Sequence, residues 1–181
     1  NNGTLAFNLG NSSSFHSIIS GTGNVVKDGS GTLVLSGNNL YTGGTDLEGG
    51  VLSVGSDSNL GDASGGLRFA GGTLLASDDF ATARLSTLSG SGGTVSVANN
   101  KTLTLEGEIS NLGAAHGALT KTGNGTLVLT AQNSYSGGTT IAAGILQLGD
   151  GTTGHDGLIL GDIANNARLV VDNFGHTELD G

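Results

Sequence analysis

Pairs of carboxylates are the residues of this sequence that come closest to a catalytic arrangement. The pairs are Asp46 with Glu48, Glu106 with Glu108, and Asp78 with Asp79. Residues two apart in a strand share a face, and two such carboxylates can divide the acid and base roles of glycoside hydrolysis. No basic or aromatic residue surrounds any pair in sequence, so we expect outward-facing, solvated charge. A carbohydrate-cleaving enzyme stays open as the less favoured alternative.

Four histidines are the other candidates for chemistry: His16, His116, His155 and His176. Their spacing matches no metal site, and the chain has no cysteine to join them. His155 is followed by Asp156, but the glycine-rich stretch before this pair is typical of a loop. No serine lies in a G-x-S-x-G elbow, and no G-K-[ST] phosphate loop exists. The sequence therefore predicts no enzyme, no catalytic or metal-binding residue and no cofactor.

Charge and composition exclude several other classes of protein. The net charge is −9, from 15 acidic and 6 basic residues, whereas nucleic-acid binding needs clustered lysine and arginine. No apolar run approaches the roughly 20 residues of a membrane-spanning helix. The 35 glycines, with no proline and few aromatics, favour strands and turns over long helices. We expect an all-β chain with no nucleic-acid partner.

An internal repeat is what positions these residues. Residues 23–55 and 117–149 align without a gap, at an offset of 121 − 27 = 94 residues. The shared positions include Lys27/Lys121, Gly31–Leu35/Gly125–Leu129, Asn39/Asn133, Tyr41/Tyr135 and Gly43–Thr45/Gly137–Thr139. Units that repeat in this way bury their apolar faces against neighbouring copies. The chain is therefore predicted to be a repeat protein.

A shorter phrase, Gly-x-apolar-x-apolar, recurs along the whole chain. It begins at Gly31, Gly50, Gly72, Gly93, Gly125 and Gly144. Its period of two is that of a strand, and the return of one phrase per roughly 20 residues indicates one coil of a parallel β-helix. A β-sandwich has closer hairpin spacing, and a leucine-rich repeat needs helical windows that are missing here. We predict a right-handed parallel β-helix of about nine coils over residues 1–181, as one segment excised from a longer chain.

The alternating apolar residues of the phrases are expected to form one continuous interior. They are Leu33, Leu35, Leu52, Val54, Leu74, Val95, Val97, Leu103, Leu105, Leu127, Leu129, Leu146 and Leu148. Because the register between the two copies has no gap, Tyr41 and Tyr135 should occupy equivalent places beside their Gly-Gly turns. Each hydroxyl should find a hydrogen-bond partner or water.

The two copies resemble the passenger-associated transport repeat of bacterial autotransporters. The family phrase L-x-K-x-G-x-G-T-L-x-L-x-x-x-N-x-Y-x-G-x-T matches residues 25–45 and 119–139. The resemblance implies a β-helical passenger that a C-terminal translocator barrel, not contained in this segment, exports to the cell surface or beyond. It also implies a structural or adhesive stalk that contacts host or bacterial surface molecules, or itself. The repeat occurs in passengers with unlike activities, so a segment of a secreted toxin or effector remains an alternative.

Overall fold

The computed structural model describes residues 1–175 of the chain. Within them lie 21 short strands and one 3₁₀ helix, Asp57–Leu60. The strands are β1 (Thr4–Asn8), β2 (Ser13–Phe15), β3 (Ser20–Gly21), β4 (Asn24–Asp28), β5 (Thr32–Leu35), β6 (Leu40–Tyr41), β7 (Thr45–Leu47), β8 (Val51–Val54), β9 (Leu67–Phe69), β10 (Thr73–Ala76), β11 (Phe80–Thr82), β12 (Ser86–Leu88), β13 (Gly93–Val97), β14 (Thr102–Leu105), β15 (Ile109–Asn111), β16 (Leu119–Thr122), β17 (Thr126–Leu129), β18 (Thr139–Ile141), β19 (Ile145–Leu148), β20 (Ile163–Asn165) and β21 (Arg168–Val171).

The strands form three faces that run side by side along the molecule. Face 1 has the order β1-β4-β7-β9-β12-β15, and face 2 has the order β2-β5-β8-β10-β13-β16-β18-β20. Face 3 begins with β3-β6, continues past the 3₁₀ helix, and resumes as β11-β14-β17-β19-β21. Every described pairing is parallel; for example, β4 pairs with β7 and β5 with β8. This recurring, parallel stacking of successive coils defines a parallel β-helix.

Eight strands in face 2 give about eight coils, close to the nine predicted. At about 4.8 Å between neighbouring strands, the stack is roughly 35–40 Å long. Coil length varies: Thr4 pairs with Asn24 one coil later, whereas Gly93 pairs with Leu119 across a longer coil. The extra residues of the longer coil lie in turns, which tolerate insertions better than strands do.

One hydrophobic core runs through the coils. All thirteen residues predicted to face the interior are buried, none with more than 2% of its surface exposed. They stack above one another through the strand register, as when Leu33 pairs with Leu52 and Leu52 with Leu74. Each fully buried leucine contributes about 1.5–3 kcal/mol. The prediction of a continuous aliphatic interior is confirmed.

The second copy of the long repeat does not lie on the same face as the first. In face 1, Val25 pairs with Thr45, and the register continues through Leu67 and Ser86 to Ile109, four coils later. The residue of the second copy that aligns with Val25 is Leu119, which follows Ile109 along the chain and lies on the next face. The first copy therefore starts on face 1 with β4, and the second starts on face 2 with β16.

Candidate functional site

The carboxylate pair at residues 46 and 48 lies on the outside of face 1, where it meets a cation from the next coil. Arg68 Nε donates to Asp46 Oδ1 at 2.8 Å, and its Nη2 donates to Glu48 Oε1 at 2.7 Å. The hydrogen bond to Asp46 is the main reason that the pKa of Arg68 lies above its ordinary value. The expectation of outward-facing charge is confirmed. No basic residue lies near Asp46 and Glu48 in the sequence. The stacking of coils nevertheless places Arg68, which is 22 residues from Asp46, beside both carboxylates.

The adjacent carboxylates of Asp78 and Asp79 are held in the same way. Lys101 Nζ lies 2.6 Å from Asp78 Oδ1 and 3.3 Å from Asp79 Oδ2. The hydrogen bond from Lys101 lowers the pKa of Asp78. Asp79 Oδ1 also accepts the backbone N–H of Thr102 at 2.7 Å. Both carboxylates therefore serve as links between neighbouring coils.

Glu106 and Glu108 do not share a partner. Glu108 Oε1 accepts a hydrogen bond from the hydroxyl of Ser134 in the next coil. The negative charge of Glu106 instead helps to raise the pKa of His155. An enzyme of the two-carboxylate type needs one group protonated and one ionised at its working pH. Asp78 is instead held in its ionised form by Lys101, and Asp46 and Glu48 are both occupied by Arg68. These arrangements fit outward-facing ion pairing better than acid catalysis.

The histidines are separated, and each of the three in the described region has a different local partner. His16 Nδ1 lies 2.6 Å from Ser36 Oγ, and His116 Nδ1 lies 2.7 Å from Ser136 Oγ. Within residues 1–175, neither of these two rings also hydrogen-bonds a carboxylate, so no Ser-His-acid triad is assembled. His176 lies outside the described residues.

His155 binds an aspartate other than its sequence neighbour. Its Nδ1 lies 2.7 Å from Asp150 Oδ2, while Asp156 Oδ1 accepts the backbone N–H of Phe174 at 2.6 Å. Hydrogen bonds from Thr152 and then from His155 lower the pKa of Asp150 to about 2, and the Asp150 carboxylate raises the pKa of His155. This exposed contact joins two residues of one loop and becomes an ion pair when His155 is protonated. Across residues 1–175, no group of three or more His, Cys, Asp or Glu side chains is arranged to hold a metal.

Two fully buried lysines are the most unusual groups in the interior. Lys27 Nζ donates to the carbonyl oxygens of Asp28 at 2.7 Å, Gly29 at 2.9 Å and Gly49 at 3.1 Å. The first two acceptors belong to the turn after the lysine, and the third comes from the next coil. One ammonium thus satisfies all three of its donors and joins two turns, and the Asp28 carbonyl also accepts the backbone N–H of Leu9 at 3.1 Å.

Lys121 repeats this arrangement on a different face. Its Nζ donates to the carbonyl oxygens of Thr122 at 2.7 Å, Gly123 at 2.8 Å and Ala143 at 3.1 Å. Burial removes hydration from the ammonium and lowers the pKa of Lys121 to about 8; it also lowers the pKa of Lys27. With a pKa of about 8, Lys121 remains mainly protonated at pH 7. We call each set of one lysine and three carbonyls a lysine clasp.

Each clasp requires a glycine in the next coil. Gly144 has φ +72°, and a Cβ at this position would overlap the carbonyl oxygens of Gly123 and Gly125 and would lie 2.9 Å from Lys121 Nζ. A Cβ at Gly50 would meet the equivalent carbonyls around Lys27 and would lie 2.8 Å from its Nζ. Only glycine combines a left-handed backbone with this close approach. The structural phrase therefore extends from the lysine to the glycine one coil later.

The tyrosines of the repeat form matched hydrogen bonds in both copies. Tyr41 and Tyr135 are fully buried, and each hydroxyl lies 2.6 Å from the Oγ1 of the threonine four residues later, Thr45 or Thr139. Burial raises the pKa of both phenols to about 12. The predicted equivalence of the tyrosines is confirmed in their contacts, although the two copies start on different faces.

The paired asparagines link three successive coils. Asn39 Oδ1 accepts the N–H of Ile19 at 2.8 Å, and its Nδ2 donates to the carbonyl of Asn59 at 2.7 Å. Asn133 accepts from Ile109 at 2.9 Å and donates to Leu158 at 2.8 Å. Each amide thus reaches the coil before it and the coil after it. These side chains therefore add hydrogen bonds between neighbouring coils.

Arg84 anchors the segment that interrupts face 3. Its side chain is almost fully buried, and Nε donates to Asp57 Oδ1 at 2.7 Å. The remaining guanidinium hydrogens bind the carbonyls of Asp62, Gly61 and Gly65. No sequence pattern indicated this contact, because it depends on a non-repeating turn. The buried lysines, by contrast, follow the inward alternation of Val25 and Leu119 and could have been predicted from it.

A β-helix with this repeated interior phrase defines the class of protein. The model of the passenger-associated transport repeat matches residues 25–54 and 119–148. The chain is 45% identical over 160 residues to the adhesin BmaC autotransporter of Brucella suis biovar 1 (strain 1330), covering 88% of this chain and 4% of that protein. It is therefore a segment of an autotransporter passenger domain, exported through the outer membrane to the cell surface or extracellular space.

A second relative matches a similar share of this chain. The chain is 30% identical over 161 residues to the uncharacterized protein YuaQ of Escherichia coli (strain K12), covering 87% of this chain and 10% of that protein. The chain thus spans a small part of the length of both curated relatives. No solved structure matches it. Among the described residues, no helix is long and apolar enough to cross a membrane.

Proposed function

We propose that residues 1–181 form one β-helical stalk segment of a longer passenger and that its outer faces carry adhesive contacts with host or bacterial surface molecules. The observation that carries this proposal is the 45% identity to an autotransporter adhesin over 88% of the chain. The relationship favours a structural role over an enzymatic one. We assign no catalytic residue to the chain.

The contacts between successive coils in the interior support the role of a stalk. The lysine clasps, the side chains of Asn39 and Asn133, and the aliphatic core each connect one coil to the next. The stability of the chain is therefore distributed along the axis of the β-helix. The outward ion pairs do the same on the surface, since Arg68 and Lys101 each bind carboxylates of the preceding coil. Such a rod holds its surface in a fixed geometry, which limits the entropy lost when a partner binds.

A bead assay tests the adhesive role. Beads coated with the purified chain should bind host cells or bacteria more than beads coated at equal density with an unrelated acidic protein. Asp46→Asn/Glu48→Gln should leave binding of neutral surfaces and any glycan-cleaving activity unchanged. Equal binding by the two kinds of bead would contradict adhesion. Release of reducing sugars that the double substitution abolishes would instead support the carbohydrate-cleaving alternative.

A further inference from the structure

One coil of the β-helix crosses face 3 with an irregular segment, residues 56–66, in place of a strand. The segment contains the 3₁₀ helix Asp57–Leu60 and lies between β8 and β9. On face 3 the sheet β3-β6 ends before this segment, and the five-stranded sheet begins after it with β11. Faces 1 and 2 continue past it without a break, through β7-β9-β12 and β8-β10-β13. We call residues 56–66 the strap.

The strap covers Tyr41 of the preceding coil. The backbone of Gly61 lies so close to the ring that a Cβ at this position would be 2.8 Å from Tyr41 Cε2. Thr45 Oγ1, which pairs with the Tyr41 hydroxyl, also lies 3.5 Å from the carbonyl oxygen of Leu60. Tyr41 and Leu60 are both fully buried. An outward displacement of the strap would therefore expose the Tyr41 ring to water.

The strap is held differently on its two sides. Toward the preceding coil, the N–H of Asp62 donates to the carbonyl of Tyr41 at 2.9 Å. Asn39 donates to the carbonyls of Ser58 and Asn59, at 2.8 Å from its backbone and 2.7 Å from its side chain. Toward the following coil, no backbone hydrogen bond joins the strap to β11 within residues 1–175. A side chain makes the connection on that side.

This side chain is Arg84, and all five of its guanidinium N–H groups are directed at acceptors in the strap. Nε donates to Asp57 Oδ1 at 2.7 Å, and Nη2 donates to Asp57 at 3.2 Å and to the carbonyl of Gly61 at 2.7 Å. Nη1 donates to the carbonyls of Asp62 and Gly65. The backbone hydrogen bonds within the strap each span only three residues. One buried side chain from the next coil therefore fixes the shape of the strap from residue 57 to residue 65.

We propose that Arg84 is a latch that closes the strap over Tyr41, and that its release opens face 3 at this level while faces 1 and 2 keep their strand pairing. Hydrogen bonds from a charged donor are stronger than neutral ones, and a buried charge without its partners is strongly unfavourable. The closed strap and the buried guanidinium are therefore stable only together. The latch makes closure of one coil depend on the docking of the next, and it does not depend on the adhesive contacts proposed above.

Hydrogen–deuterium exchange, followed by mass spectrometry of peptides, tests the latch with matched variants. Arg84→Met removes the buried guanidinium, and Arg68→Met removes one that bridges two coils on the outer surface. In Arg84→Met, residues 56–66 should exchange at least about tenfold faster than in wild type, whereas residues 126–148 should be unchanged. Arg68→Met should leave exchange in the strap as in wild type. Arg84→Lys keeps a charge but has three donors instead of five, so its strap should exchange at an intermediate rate.

Tyrosine fluorescence measures the cover over Tyr41 directly, because the chain has two tyrosines and no tryptophan. Tyr135→Phe leaves Tyr41 as the reporter, and Tyr41→Phe leaves Tyr135, which has the same kind of threonine partner but lies away from the strap. Adding Arg84→Met should increase the quenching of Tyr41 by acrylamide. The quenching of Tyr135 should stay the same.

The latch is rejected if Arg84→Met leaves strap exchange and Tyr41 quenching as in wild type. It is also rejected if exchange accelerates equally from the strap to β19, because Arg84 would then be a general stabilising residue. If Arg84→Met does not fold, the wild type supplies the test. Exchange in its strap should depend on urea much less than exchange in β17, since local opening exposes less surface than global unfolding. Equal urea dependence would overturn the proposal, and failure of the bead assay would not affect it.

Discussion

Lys27 and Lys121 make the same three hydrogen bonds on two different faces of the β-helix. Their donor–acceptor distances are nearly identical, at 2.7, 2.9 and 3.1 Å for Lys27 and 2.7, 2.8 and 3.1 Å for Lys121. The clasp is therefore a property of the repeat phrase and its next coil, independent of the face that carries it.

Removing a clasp ammonium should destabilise the chain more than removing a surface ammonium. Lys121→Met keeps most of the buried side-chain volume but removes three hydrogen bonds from the ammonium to backbone carbonyls, and we expect a loss of about 2–4 kcal/mol. Lys101→Met is the control, because the Lys101 side chain is one-third exposed and its ammonium makes surface ion pairs, which contribute about 0–1 kcal/mol. Urea unfolding at pH 7 measures both. Equal losses would show that the clasp adds nothing beyond ordinary ion pairing.

The clasps and tyrosines together predict an unusual dependence of stability on pH. Between pH 8 and 10.5, Lys121 loses its proton in the folded chain before it does in the unfolded chain, so the unfolded state binds more protons and stability rises with pH. Above pH 10 the phenols of Tyr41 and Tyr135 act in the opposite direction, because they keep their protons to about pH 12 when folded.

Unfolding free energies measured from pH 7 to 11 should therefore pass through a maximum near pH 10. The lowering of the Lys121 pKa from 10.5 to about 8 corresponds to a rise on the order of 3 kcal/mol. In Lys121→Met this rise should shrink to the part contributed by Lys27. A steady decline from pH 8 onward would contradict both the burial of the ammonium groups and the sign of their pKa shifts.

The glycine that completes a clasp should be more sensitive than a glycine of similar backbone conformation elsewhere. Gly144→Ala forces a Cβ against two carbonyl oxygens and the ammonium of Lys121, in addition to strain at φ +72°. Gly113 has φ +62° with open space around it, so Gly113→Ala should cost only the backbone strain of about 1–2 kcal/mol. The midpoint temperature of thermal unfolding should be clearly lower for Gly144→Ala than for Gly113→Ala. The reverse order would mean that the turn relaxes without cost.

The buried tyrosine–threonine bond can be measured directly. Tyr135→Phe and Thr139→Val each remove one hydroxyl of the 2.6 Å pair, and each should cost about 1–2 kcal/mol by leaving the other group unpaired. The double variant should cost less than the sum, with a coupling of at least about 0.5 kcal/mol. Strict additivity would indicate that the two hydroxyls do not depend on each other.

The parts of this structure that follow from local alternation could be predicted from the sequence. The interior residues, such as Leu33 and Leu127, alternate with period two, and the turn glycines mark the coil boundaries. The equivalence of Tyr41 and Tyr135 follows from the gapless register between the two copies. These features depend on short-range pattern or direct self-similarity, so the sequence alone indicates them.

The contacts that depend on coil length could not be predicted in this way. Arg68 reaches Asp46 across 22 residues and Lys101 reaches Asp78 across 23, and coil length differs from one turn of the helix to the next. The same variation conceals the face shift, because the offset between the two copies can be divided into coils in several ways. Arg84 depends on a turn that occurs once in the described chain.

The placement of the second copy on face 2 is the central structural claim, and cross-linking tests it most directly. The chain has no cysteine, and Thr94 of β13 pairs in register with Thr120 of β16, at a Cα distance of about 5 Å that suits a disulfide. Thr94→Cys/Thr120→Cys should cross-link readily under mild oxidation. Thr94→Cys/Thr122→Cys, displaced to about 8 Å, should not. Equal yields, or cross-linking of the displaced pair alone, would contradict the register that carries the repeat from face 1 to face 2.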